Sequence, residues 1–290
     1  MSGGFNIFIT DFHKLHREHN LKSNVIKKFQ ELIYTYYNKN KREFPFRRDI
    51  TPYKVLVSEI MLQQTQTNRV SDKFIEFIDE FPDFKSLKKA PLDKILKKWQ
   101  GLGYNRRAIA LKKIAEIITE KYDGKLPADI DILKSFPQIG YNTACSILSF
   151  AYNLPTFFIE TNIRRVYIYF FFPGTYLVSD DEILPIVKKT IDSNNPREWY
   201  YALMDFGVML KKTHPELNKR SAHYRKQSKF KGSTRELRGK ILKLLLKKSE
   251  VLISSLSQKL NTDSNKINQI LTQLENEGFL KIEEEKVSIT

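Results

Sequence analysis

Two carboxylates in apolar stretches are the residues of this sequence best suited to catalysis. Glu59 lies within the run from Val55 to Leu62, and Glu160 follows Phe157, Phe158 and Ile159. An apolar setting raises the pKa of a carboxyl group, so that it can donate a proton near neutral pH. A second carboxylate can stabilise the positive charge that grows on a sugar as a glycosidic bond breaks. The alternative is that each glutamate is the structural partner of an arginine, the commoner role of a single buried glutamate.

A tight turn followed by a helix separates these two positions. In residues 136–144, FPQIGYNTA, Pro137 restricts the backbone and Gly140 permits a left-handed residue. The helix that follows opens with free amides, which suit a phosphate oxygen. We expect Thr161 to cap the next helix, with Glu160 just before it.

Charge and cysteine content narrow the class of protein. The 290 residues carry a formal net charge of +16, which favours a polyanionic partner over a merely basic surface. Cys145 lies among apolar helical positions, so we expect a structural thiol, and one cysteine excludes disulfides and cysteine-only metal sites within the chain. We expect an intracellular protein, because no signal peptide is evident and the apolar run 166–172 is too short to span a bilayer.

Apolar periodicity predicts an all-helical body over residues 1 to about 215, with Gly or Pro at most junctions. The predicted helices are 22–39, 52–62, 68–80, 84–88, 91–99, 105–122, 129–135, 142–151, 162–172, 180–193 and 196–210.

Residues 211–231 form a basic segment with eight Lys or Arg and interleaved aromatics. It is either a flexible linker or an arm that follows phosphates, and the aromatics favour the arm. The next predicted helices are 234–248, 253–260 and 263–277, closed by Gly278 and followed by an alternating hairpin. This order is typical of a winged helix-turn-helix over 229–290. Its wing holds Glu283, Glu284 and Glu285, which repel phosphate, so duplex binding and a purely packing role both stay open.

Residues 40–210 resemble a known family. The segment Ser58–Thr67, SEIMLQQTQT, strongly resembles the adenine-excising (MutY-type) branch of the helix-hairpin-helix (HhH-GPD) DNA glycosylases. The similarity continues through 90–93, 99–108, 124–127, the hairpin, 160–166 and 203–207. It implies a fold of two helical subdomains: a six-helix barrel over 53–165 with the hairpin at 136–144, and a second subdomain from 1–52 plus 166–228.

The resemblance also implies roles for individual residues. Glu59 matches the general acid that protonates the departing base and handles the attacking water, and Glu160 matches the electrostatic partner. The expected base pocket holds Gln63, Asn142 and Asn162. Gln64 and Tyr104 are expected to enter the base stack while a nucleotide is extruded, although ordinary core packing is the alternative for Tyr104. The remaining expected DNA contacts are Gln138, Gly140, Tyr141, Thr143, Arg47, Lys219, Arg220, Arg225 and Lys226.

Three positions and one missing loop depart from the family pattern. Glu160 stands where the family has Asp, and Asn142 stands where bifunctional relatives have a Schiff-base Lys, so we expect no amine-type lyase step. Gln138 replaces the first hairpin glycine, so we expect that residue to avoid a positive φ. The four-cysteine iron-sulfur loop is absent, and the basic arm takes its place. The only cofactor left to expect is a monovalent cation on the hairpin carbonyls.

These observations predict a monofunctional DNA glycosylase that excises a mismatched base from duplex DNA, with adenine opposite G or 8-oxoguanine as the expected substrate. A thymine or uracil glycosylase acting on G mismatches is the first alternative. A non-catalytic mismatch-binding protein is the second. We expect a monomer with no membrane partner.

Overall fold

The computed structural model describes residues 2–226, 228–248 and 250–290, and within these residues helices dominate. The first eight helices are α1 (Ser2–His19), α2 (Ser23–Asn40), α3 (Pro52–Leu62), α4 (Thr67–Glu80), α5 (Phe84–Lys89), α6 (Leu92–Trp99), α7 (Arg106–Lys121) and α8 (Ile130–Ser135). The next four are α9 (Tyr141–Tyr152), α10 (Thr161–Phe171), α11 (Asp180–Thr190) and α12 (Pro196–Thr213), and short 3-10 turns cover Pro45–Arg47 and Pro215–Arg220. The predicted helices of the body are confirmed to within about three residues, while α1 was not predicted.

Side-chain caps explain where several helices begin. The Thr51 hydroxyl accepts a hydrogen bond from the Lys54 amide, and Pro52 occupies the first position of α3. Asp83 and Ser86 form a reciprocal capping box at α5, as Ser179 and Glu182 do at α11. These signals are local, so the helix positions follow from the sequence.

The chain divides into two compact units, each described by itself. Unit 1 comprises residues 1–44, 128–130 and 140–226, and unit 2 comprises 45–127, 131–139 and 227–290. This grouping differs from the predicted domain boundaries. Helices α9 and α10 belong to unit 1 rather than to the barrel, and the C-terminal residues belong to unit 2.

An aromatic cluster forms the core of unit 1. The ring of Phe29 contacts Phe170, Phe171 and Trp199, with centroids 4.9–5.6 Å apart. Helix α10 lies close against α12 because Gly207 has no side chain: a Cβ there would lie 2.4 Å from the Asn162 carbonyl oxygen. Buried Asp205 pairs with Arg42. These contacts account for the Asp and the Gly of the 203–207 segment.

The C-terminal module, residues 229–290, follows the predicted order. It contains α13 (Thr234–Leu245), β1 (Val251–Leu252), α14 (Ile253–Leu260), α15 (Ser264–Asn276), β2 (Leu280–Glu283) and β3 (Lys286–Ile289). The strands form an antiparallel sheet in the order β1-β3-β2. Asp263 caps α15 by accepting a hydrogen bond from the Lys266 amide.

The first part of the basic segment 211–231 has regular secondary structure. Its first residues complete α12 and form the 3-10 turn, and Ser221 then bridges to Val178. Gln227, within this segment, lies outside the described residues. No helix in the described part of the chain is long and apolar enough to cross a membrane.

Candidate active site

Helix α3 and the loop after it hold three of the predicted residues. Glu59 is half-buried on the last turns of α3, beside buried Ser58 and Ile60. The helix ends at Leu62 with Gln63 as its C-cap, and Gln64 follows with a φ of +54° and an exposed side chain. A left-handed residue directly after a helix turns the chain sharply, so Gln64 projects from the end of α3.

A buried arginine from α7 fixes this loop. Arg107 is only 3% exposed, and its guanidinium donates to the carbonyl oxygens of Ile60, Met61 and Gln63 at 2.7–2.9 Å. It also donates to Thr65 Oγ1 and to three carbonyls of residues 102–104. Burial lowers the pKa of Arg107 to about 10, so it stays charged at neutral pH. One cation thereby joins the end of α3 to the loop before α7.

The hairpin turn is attached to the same place. Gln63 Nε2 donates to the carbonyl oxygen of Gln138 at 3.0 Å. Two expectations about this turn were wrong: Gln138 adopts a φ of +64°, whereas Gly140 has a φ of −89°. Such a conformation costs a non-glycine residue about 1–2 kcal/mol, which the closing hydrogen bond from the Ile139 amide to Phe136 helps to offset.

Tyr104 lies at the surface, so the core-packing alternative is wrong. The residue is 37% exposed with a φ of +48°, and it follows Gly101 and Gly103, whose φ values are also positive. The guanidinium of Arg107 lies 5.4 Å from the centroid of its ring. A cation over an aromatic face is attractive, so Arg107 helps to hold the ring in place.

Helix α9 begins at Gly140, which has no side chain that could cap the first amides. Tyr141 is 47% exposed at the first helical position, and Thr143 is half-buried. The side-chain amide of Asn142 donates to the Ile159 carbonyl at 3.1 Å, which connects this helix start to the approach to Glu160. The predicted phosphate contacts of these residues stay predictions.

Glu160, and not Thr161, caps α10. Its Oε1 accepts from the amides of Asn162 and Ile163 at 2.8 and 3.0 Å, and its Oε2 accepts from Asn162 Nδ2 at 3.1 Å. The backbone of Glu160 is extended, as expected of a cap, and the longer side chain folds back onto the helix start. The helix dipole favours a negative charge at this position.

A second buried arginine supports this carboxylate from within unit 1. Arg165, 2% exposed, donates to Asn162 Oδ1, to Asn218 Oδ1 and to the Gly207 carbonyl. Asn162 therefore accepts from Arg165 and donates to Glu160. Burial lowers the pKa of Arg165, and the charge of Glu160 opposes that shift. The Asn162 amide is thus already used by the protein at the position predicted for the base pocket.

The predicted cations of the arm have different environments. Arg220 donates to the carbonyls of Phe172 and Thr175, so it holds a loop rather than presenting a free guanidinium. Lys219, Arg225 and Lys226 are exposed, and Arg47 is half-buried in the first 3-10 turn.

A bound metal ion or monovalent cation requires a set of side chains or carbonyl oxygens that can coordinate it. Among the described residues, no group of three His, Cys, Asp or Glu is placed to hold a metal ion. At the hairpin, the carbonyl of Phe136 accepts a hydrogen bond from the Ile139 amide, and the carbonyl of Gln138 accepts one from Gln63. A carbonyl oxygen has two lone pairs, so both fit an additional cation contact. The expected monovalent cation stays a prediction.

Unit 2 thus brings Glu59, Gln63, Gln64, Tyr104 and Gln138 onto connected segments, while Glu160, Asn142 and Asn162 cluster in unit 1. The roles of the two arginines that organise these sets, Arg107 and Arg165, were not predicted from the sequence. Their positions in the helices could have indicated that they are buried. Arg107 lies near the apolar residues Ala108 and Leu111, and Arg165 lies near Ile163 and Val166.

Known proteins resemble this chain in sequence and in fold. Residues 57–182 match the model of the HhH-GPD superfamily of base excision DNA repair proteins. The chain is 35% identical over 195 residues to the adenine DNA glycosylase of Buchnera aphidicola subsp. Baizongia pistaciae, which covers 66% of this chain and 55% of that protein. It is 26% identical to the thymine/uracil-DNA glycosylase of Methanothermobacter thermautotrophicus, over 63% of this chain and 85% of that protein.

Among solved structures, the fold matches a thermostable thymine-DNA glycosylase with a TM-score of 0.57 at 23% identity, covering 69% of this chain and 96% of the other. The chain spans about half the length of the adenine glycosylase that it matches. The family match over residues 57–182 includes both Glu59 and Glu160. Over these residues the chain is similar to the HhH-GPD superfamily of base excision DNA repair proteins.

Proposed function

We propose that the protein is a monofunctional DNA glycosylase that hydrolyses the N-glycosidic bond of a flipped-out mismatched base, most specifically adenine opposite G or 8-oxoguanine. One observation carries this proposal. Arg107 and the Gln63–Gln138 hydrogen bond join the helix of Glu59, the loop of Tyr104 and the hairpin turn. Base extrusion and cleavage require an acid, an aromatic side chain that can enter the base stack, and a turn whose backbone can bind phosphate.

In the proposed reaction, the Glu59 carboxylic acid protonates the base as its bond to the anomeric carbon breaks. The resulting carboxylate then accepts a proton from the water whose oxygen bonds to that carbon. Glu160 is the proposed electrostatic partner of the positive charge on the sugar. Asn142 cannot form a Schiff base, so the product keeps an abasic site with an intact backbone.

The substitution Glu59→Gln tests the proposed acid. Its amide cannot donate a proton to the base, so excision should fall by about 100-fold or more. Duplex affinity should persist, because the shape of the side chain is preserved. Single-turnover excision and fluorescence anisotropy measure the two quantities. Glu76→Gln on the exposed face of α4 is the control, and retained turnover in Glu59→Gln would remove Glu59 from the mechanism.

The substitution Glu160→Asp separates the capping role from the electrostatic role. Aspartate is a good helix cap, so thermal stability should be kept. Its carboxylate would lie about 1 Å further back, so excision should fall by about 10- to 100-fold. Full activity in Glu160→Asp would show that the length of this side chain is not matched to the reaction.

A panel of duplexes carrying A:8-oxoguanine, A:G, T:G, U:G or hypoxanthine decides the base. We expect release of adenine, because the relative at 35% identity is an adenine glycosylase. The thymine/uracil relative supports the second candidate, in which T:G and U:G are the substrates. Tight mismatch binding with no base released from any duplex would instead indicate a non-catalytic binder.

We further propose that the protein acts as a monomer on duplex DNA and needs no iron-sulfur cluster. Light scattering of the free protein and of its DNA complex, with iron and sulfide analysis of the purified protein, checks both points.

A further inference from the structure

The C-terminal module reaches Tyr104 within unit 2. Arg235, on the first turn of α13, donates from Nη1 to the Tyr104 hydroxyl at 2.8 Å, and its guanidinium carbon lies 5.7 Å from the ring centroid. Its other terminal nitrogen donates to the carbonyl and the hydroxyl of Ser228 at 2.9 and 3.0 Å. The contacts with Ser228 fix the direction in which the guanidinium meets the tyrosine.

Tyr104 is therefore held at both ends. Arg107 bonds to the backbone carbonyls of Leu102, Gly103 and Tyr104, which fixes the loop. Arg235 then fixes the outer end of the side chain. A residue that is 37% exposed would otherwise keep much of its rotamer freedom, and it would lose that freedom on binding.

The other contacts of the module point to the same loop. Glu277, directly after α15, accepts two hydrogen bonds from Arg106 at 2.6 and 2.7 Å and a further one from Arg238. The end of α15, the helix that reads the major groove in winged helices, is thus used for docking. The hairpin side of the module carries Glu284 beside two ion pairs, Glu250 with Lys286 and Glu283 with Lys281, so it offers no excess of positive charge to phosphate.

We propose that Arg235 is a positioning residue that holds Tyr104 ready to enter duplex DNA, so that the C-terminal module contributes to mismatch recognition through Tyr104. This inference rests on the proposed function. Pre-ordering of one side chain by a hydrogen bond from a charged group is worth about fivefold in affinity when the site is partly exposed. The contribution should appear in the preference for a mismatch, since a fully paired duplex gives Tyr104 less opportunity to enter the stack.

The experiment is a double-mutant cycle in the Glu59→Gln background, which prevents turnover. Fluorescence anisotropy measures the affinity for an A:8-oxoguanine duplex and for the same duplex with A:T. Arg235→Ala and Tyr104→Phe each remove the hydrogen bond, one from each side, so each should lower the preference by about fivefold. The double variant should lose no more than Tyr104→Phe alone. Lys243→Ala, an exposed cation on the same helix, should weaken both duplexes equally or not at all.

Three results would overturn the inference while leaving the proposed function intact: an unchanged preference in Arg235→Ala, equal weakening of both duplexes, or additive effects with Tyr104→Phe. Because Tyr104→Phe leaves the C-terminal module untouched, the test survives if Arg235→Ala folds poorly, which thermal unfolding reveals. If the Glu59→Gln parent itself binds both duplexes equally, the proposed function fails and the inference fails with it.

Discussion

Arg107 in unit 2 and Arg165 in unit 1 are both buried, and burial lowers the pKa of each. The two arginines nevertheless donate hydrogen bonds to different kinds of acceptor. Arg107 donates mainly to backbone carbonyls of residues 60–63 and 102–104. Arg165 donates to two side-chain amides and one carbonyl, and one of those amides contacts Glu160. The first arginine therefore shapes a loop, whereas the second orients a carboxylate. Loss of the first should affect stability most, and loss of the second should affect rate.

Arg107→Met should give the largest effect. It would leave several buried carbonyls without a donor, so we expect a loss of about 4 kcal/mol in the free energy of unfolding. Urea denaturation measures this loss. Arg69→Met on exposed α4 is the matched control and should change stability by less than about 0.5 kcal/mol. A loss below about 1 kcal/mol for Arg107→Met would show that these carbonyls find other donors.

Gly207→Ala tests the surroundings of Arg165. The new methyl group would lie 2.4 Å from the Asn162 carbonyl oxygen, so α10 and α12 must separate. We expect a loss of about 2–3 kcal/mol in the free energy of unfolding. Gly239→Ala provides the control, because its added methyl group meets no atom within 4 Å in helix α13. That variant should be stabilised by about 0.5–1 kcal/mol. Equal effects of the two substitutions would refute the close approach.

Arg165→Lys should separate rate from stability. An ammonium group cannot reach Asn162, Asn218 and the Gly207 carbonyl together, so the amide that contacts Glu160 loses its fixed orientation. We expect excision to slow by about tenfold with little change in duplex affinity. Arg164→Lys on the same helix, where Arg164 pairs with Asp180, should keep the parent rate. If both variants slow equally, the effect belongs to the helix rather than to the contact with Asn162.

Glu277→Gln gives the smallest effect and extends the comparison to an exposed arginine, Arg106. Burial raises the pKa of Glu277, but the hydrogen bonds from Arg106 and Arg238 outweigh it, so the net pKa is lowered from 4.5. The stabilisation is therefore fully present above about pH 4.5 and is lost as the pH falls through the lowered pKa. At pH 7 the variant should be less stable by about 1 kcal/mol.

The measurement for Glu277→Gln is urea denaturation between pH 7 and pH 3.5, since guanidinium chloride would screen the ion pair. The difference between wild type and variant should shrink towards the acid end of this range. Glu283→Gln, on the exposed wing, should match wild type throughout. A difference that is constant with pH would mean that Glu277 acts by packing and not by charge.

The sequence by itself determined the helices of the body after α1, the order of elements in the C-terminal module and the motif that carries Glu59. These features are local: capping boxes, proline positions and apolar spacing act within a few residues, so a linear pattern records them. The carboxyl group of Glu160 and its apolar approach were equally visible.

Only the tertiary structure decided which residue caps α10 and which residue of the hairpin has a positive φ. It also decided which groups accept hydrogen bonds from Arg107, Arg165 and Arg235. Thr161 is the better cap by residue type. Glu160 caps the helix instead because its long side chain reaches the first amides, where it also accepts from Asn162, which Arg165 holds in turn. Arg107 and Arg235 bind groups that are distant in the chain, and no local pattern records a partner brought near by folding. Long-range hydrogen bonds that satisfy buried donors are set by the packing of whole helices, and for that reason the sequence alone left them open.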